Sequence, residues 1–151
     1  MSGMSPRRGN RLRRVTRAWL IAVSVLNGLA GLVCGVLLVA RPDGGLLMAS
    51  ALLPVIRTFP FASVFFRDLF WIGVAMLLAL GVPNVAATVM LIRRDVSQYR
   101  VAFAAAVLLM CWSGFELIYM VNVAAIGYFV VAIVSALSAL WLLGRPQGAS
   151  A

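Results

Sequence analysis

VAFAAAVLLMCWSGFELIYMVNVAAIGYFVVAIVSALSALWLLG, residues 101–144, is the stretch that decides the fold. Between Glu116 and Arg145 its only strongly polar residue is Asn122. As one continuous helix it would run about 66 Å, roughly twice the hydrocarbon core of a bilayer. It must therefore fold back on itself, and the reversal is expected within 122–127. Two apolar spans result, 101–121 and 123–143.

Two more spans lie upstream. Residues 18–40 would extend about 35 Å as a helix, enough to cross the hydrocarbon. A basic leader followed by an apolar run also describes a secretory signal, but signal cores are shorter, roughly 7–15 residues. A retained anchor is the better reading. Residues 69–92 form the other span, bracketed by Arg67-Asp68 and Arg93-Arg94-Asp95. Pro83 lies inside it, removes one backbone donor and crowds the Ala79 carbonyl, so a kink near 81–83 is expected. The expected fold class is all-α: one four-helix membrane domain over 18–144, a basic tail over 1–17 and a disordered tail over 145–151.

Composition agrees with a lipid solvent. The chain has 151 residues, 64% hydrophobic and 11% charged, and its mean hydropathy is +1.04. Soluble domains carry roughly a quarter charged residues. The net charge is +9, and all thirteen basic residues are Arg. Six of them (Arg7, Arg8, Arg11, Arg13, Arg14, Arg17) precede the first span with no acid among them. Directly before an apolar span such a run points to orientation and anionic lipid, not to nucleic acid. With the N-terminus inside, ten Arg fall on one side and Arg41, Arg57 and Arg67 on the other, placing both termini in the cytoplasm.

Between the first two spans, 41–66 cannot cross. Arg41-Pro42-Asp43-Gly44-Gly45 reads as a turn. Residues 46–53 are expected to form a short interfacial outer helix, with a re-entrant loop as the alternative. A bent approach rich in Phe59, Phe61, Phe65 and Phe66 follows.

Helices in lipid associate through close packing and shared hydrogen bonds. The first span offers a stripe for this: Ser24, Gly28, Gly31 and Gly35 at steps of four, three and four, with Asn27 beside them. Asn84 lies at comparable depth in the second span, able to bond across the interface or to satisfy backbone freed by Pro83. The stripe serves either an intramolecular bundle or a homodimer. In the fourth span Ala132, Ser135 and Ala139 repeat the device.

Glu116 is the only acid within a span. An ionisable residue there is a candidate site by default. Its candidate partners are Arg67 and Arg57, with Arg41 a third. Either an ion pair pins the outer segment to the bundle, or Glu116 stays accessible and binds a proton or a cationic ligand. Trp112 and Tyr119 flank it at helical spacing.

Catalysis is poorly provided for. There is no His for a triad or zinc site, no Lys for a Ser–Lys variant, and no phosphate-binding glycine loop. Cys34 and Cys111, both within apolar runs, read as buried thiols, so no cofactor or metal is expected. Pro42-Asp43-Gly44, then Phe66-Arg67-Asp68 and Gly73 opening an apolar helix, resemble a pattern in small bacterial four-helix membrane proteins of the DoxX-like group. The resemblance covers 18–143 and implies a bacterial cytoplasmic membrane. The expected role is a non-enzymatic scaffold or accessory subunit, alone, as a homo-oligomer or in a larger membrane complex. The alternative is a small carrier or ligand-binding protein that uses Glu116 with an outer Arg.

Overall fold

A computed structural model describes residues 6–57, 62, 67–119 and 122–144, with side chains from residue 9 onward. The described residues form an all-helical structure without strands. Four helices are long and apolar enough to cross a membrane. They are α1 (Pro6–Ala40), α3 (Phe70–Arg93), α4 (Gln98–Tyr119) and α5 (Val123–Leu143). A one-turn helix, α2 (Leu53–Ile56), lies between the first two. The four long helices form a ring in the order α1, α3, α4, α5, closed by contact between α5 and α1.

α1 begins well before the apolar span, so the Arg-rich segment from Pro6 onward is helical. Proline suits a first helical position and Arg is a good helix former, so nothing breaks the first turns. Arg17 reaches across from α1 and donates Nη2 to the Leu91 carbonyl in the last turns of α3. Arg94, with φ 57°, ends α3. Asp95 then shapes the turn by accepting from the Ser97 N–H at 2.7 Å.

Pro83 distorts α3 one turn ahead of the expected kink. Leu77–Gly81 widens into a π turn, and the Val82 N–H reaches back to the Leu77 carbonyl. The wider turn accommodates a ring that has no N–H to give Ala79. Asn84 Nδ2 donates to the Leu80 carbonyl at 2.8 Å, within its own helix.

Two expected features differ. In place of one outer helix over 46–53 there are two short 3₁₀ turns, Gly45–Leu47 and Ala49–Leu52, broken at Met48 in left-handed geometry (φ 52°), before α2. So short a segment cannot repay helix nucleation by itself. The reversal between α4 and α5 takes in Asn122, the first residue of the expected 122–127, but does not extend to Gly127. Val123 is already helical, and Asn122 caps it by accepting from the Ala125 N–H at 2.8 Å. Asn is among the strongest N-caps, which fixes the start there and leaves Gly127 inside α5. The Phe-rich approach at 58–61 and 63–66, and the tails 1–5 and 145–151, lie outside the described residues.

Small side chains are frequent in the interior, beside buried Leu20, Leu69, Leu91, Tyr99 and Leu142. Ala87, Ala125, Ala132 and Ala139 are fully buried, whereas Leu26, Leu78 and Leu137 are each more than 60% exposed. Small residues inside let backbones approach; large apolar residues outside are what a hydrocarbon solvent accepts.

Candidate functional site

The first site candidate is the α1 stripe. Ser24, Asn27, Gly28, Gly31 and Gly35 are all buried, and the three glycines face α3. A Cβ on Gly31 would lie 2.5 Å from the Gly81 backbone nitrogen. One on Gly35 would lie 2.6 Å from Leu77 Cγ and 3.0 Å from the Gly73 carbonyl oxygen. The π turn of α3 is thus pressed against the glycines of α1. Asn27 Nδ2 bonds the Val23 carbonyl at 2.9 Å, so both Asn27 and Asn84 donate within their own helices. Ser135 Oγ is buried without a protein hydrogen-bond partner and lines a void of about 10 Å³ shared with Ser24 and Asn84.

The second candidate centres on Glu116, half-buried on α4. Trp112, one turn earlier, donates Nε1–H to Glu116 Oε1 at 2.9 Å. Four residues is one turn of helix, so the pair is set by spacing alone. Phe115 and Tyr119 continue the aromatic edge, with ring centroids 4.9 Å apart. Among the described residues no ion pair joins Glu116 to Arg67 or Arg57. Arg57 caps the end of α2 and Arg67 lies just before α3, both exposed. An ion pair among the described residues, Arg41 with Asp43 at 3.5 Å, is solvent-exposed and sits in the turn after α1. The Gly45 N–H donates to Asp43 at 3.0 Å; this bond first, and then Arg41, hold the Asp43 carboxyl below its usual range.

Beside Trp112 lies a groove of about 410 Å³ between α3 and α4. Trp71, Ile72 and Ala75 line it from α3, and Leu108, Trp112 and Phe115 from α4. Cys111 also borders it and is exposed, contrary to the buried thiol expected; Cys34 is half-buried. The inward face of α4 runs through Ala102, Ala105, Ala106, Leu109 and Ser113, and position 111 falls off that stripe. Helical spacing identifies Trp112 as a wall for Glu116 but gives no sign of Trp71, because nothing in one helix shows which neighbour it faces. No group of three His, Cys, Asp or Glu side chains comes together among the described residues.

Fold and site define a class: a small all-helical bundle of four apolar helices, closed by glycine packing on one side and grooved on another. Comparison with family models, curated proteins and solved structures finds no match.

Proposed function

We propose that the chain is a multi-pass integral membrane protein of a bacterial cytoplasmic membrane, with both ends cytoplasmic. It works by binding and not by catalysis, as an accessory or scaffold subunit. The observation that carries this is the exterior of a bundle of four helices long and apolar enough to cross a membrane, on which Leu26, Leu78 and Leu137 lie exposed. Water would penalise that exterior, and lipid does not. Arg11, Arg14, Arg93, Arg94 and Arg100 are all exposed; α1 brings Arg17 to the α3 terminus that bears Arg93 and Arg94, so these cations share one end. That arrangement supports contact with anionic headgroups and a cytoplasmic placement of this end. The bacterial cytoplasmic membrane is what the resemblance of Pro42-Asp43-Gly44 and Phe66-Arg67-Asp68 to DoxX-like proteins implies.

The test is extraction and topology. The protein should stay in the membrane through an alkaline carbonate wash, and reporters on both ends should give a cytoplasmic signal. Release by carbonate, or reporters signalling from opposite sides, would overturn the reading. A specific observation favours a second reading, a ligand-holding protein: Glu116 has Trp112 as its hydrogen-bond partner, beside an open groove. In a scaffold, Glu116→Gln should weaken folding or assembly. In a ligand-holding protein it should leave the fold and remove binding.

A further inference from the structure

We infer that the groove between α3 and α4 is a binding site for a cationic amphiphile, its apolar body lying along the groove and its ammonium head held at Glu116. The inference deepens the ligand-holding reading and rests on the chain being membrane-embedded. Three observations converge on it. The groove, at about 410 Å³, is the size of a small-molecule site and its walls are almost wholly apolar. At one edge Trp112 connects those walls to a carboxylate through the 2.9 Å bond. That carboxylate forms no ion pair among the described residues, although an acid within an apolar helix ordinarily has a cationic partner.

The chemistry sets the sign of the ligand. An ionised carboxylate only accepts hydrogen bonds, and Trp112 occupies one oxygen. The other acceptor positions suit a donor or a positive charge. Trp112, Phe115 and Tyr119 gather aromatic rings along this part of α4, and the faces of such rings attract ammonium groups. An anionic head would be repelled by Glu116. A neutral head would gain the groove and nothing from the acid. A cation with an apolar chain uses both.

The experiment takes the full chain in maltoside micelles and follows tryptophan emission, since Trp71 and Trp112 line the groove. The probe is dodecyltrimethylammonium brominated on its chain, against brominated dodecyl sulfate and brominated dodecyl maltoside. The ammonium probe should quench saturably, at a concentration about tenfold lower than either comparison probe, a difference of ~1.4 kcal/mol. Glu116→Gln should raise that concentration to the level of the neutral probe, and Glu116→Asp should largely preserve it. Ala75→Phe, which fills the groove and leaves Glu116 in place, should abolish saturable quenching. If Glu116→Gln does not fold, Ala75→Phe decides. Equal quenching by all three probes, or saturable quenching that survives Ala75→Phe, overturns the proposal and leaves a groove for ordinary acyl chains. Release by the carbonate wash would instead defeat the membrane reading, so the two failures are distinct.

Discussion

α3 has two neighbours and meets them in opposite ways. Against α1 it presents its π turn to a row of glycines, where a single added carbon would lie 2.5 Å from backbone. Against α4, from Trp71 to Ala79, it leaves a groove of about 410 Å³ between aromatic and aliphatic side chains. The first contact is made by backbones that have no room to move; the second is made by side chains that can. Close backbone packing is the main source of helix attraction in lipid, so stability should reside on the α1 side. The α4 side is then free to accept something else.

The largest expected effect tests the closed contact. Gly31→Leu must drive the π turn of α3 away from α1. Overpacking a tight core costs roughly 1–3 kcal/mol, occasionally more, and here the obstacle is backbone. We expect ~3 kcal/mol or more, read as loss of helical signal at a much lower denaturant concentration in detergent. A variant as stable as wild type would show that the contact is not rigid.

Next comes Asn84→Leu. It removes the 2.8 Å bond to the Leu80 carbonyl in the π turn, at a position 3% exposed. Polar contacts within helical membrane bundles are worth about 0.6–2 kcal/mol, and a loss of ~1 kcal/mol is expected in the same unfolding assay. Gly127 sharpens the comparison from the other direction. It lies inside α5, and nothing stands within 4 Å of where its Cβ would be. Gly127→Ala should therefore stabilise, by about 0.4–1 kcal/mol, through reduced freedom of the unfolded chain. If Gly127→Ala and Gly31→Ala behaved alike, the distinction between packed and unpacked glycines would fail.

Much of the closed side is legible in the sequence. Four apolar runs of crossing length fix the number of helices, and the steps of four, three and four among Ser24, Gly28, Gly31 and Gly35 fix the face that packs. Pro83 announces a distortion, but not that a π turn one turn earlier absorbs it. That outcome depends on the glycines of α1 offering space, a tertiary fact. The groove is illegible for the same reason. Trp112 beside Glu116 follows from helical spacing, but the arrival of Trp71 and Ala75 opposite depends on how the segment of α3 before its π turn leans toward α4. Cys111 departs from expectation because apolar surroundings in sequence do not distinguish the inward face of a helix from one open to lipid.

The smallest effect belongs to the turn where α1 hands over to α3. The Leu69 N–H bonds the Pro42 carbonyl at 2.9 Å, tying this turn to the start of α3 at one end of the closed contact. Within it Gly44 takes φ 74°, and a Cβ there would also meet Leu69 at 2.6 Å. Asp43 holds the turn by accepting from the Gly45 N–H, with Arg41 beside it. Because these contacts favour the ionised carboxyl, its folded value lies below the unfolded one. The stability it contributes is complete above the ordinary aspartate value of about 3.9 and is lost as pH falls through the lower folded value. Both side chains are well exposed, so water and salt screen the pair. A shallow drop in unfolding temperature below about pH 4, flattened by Asp43→Asn, is the expected result. An equally steep drop in the Asp43→Asn protein would assign the acid sensitivity to another carboxylate.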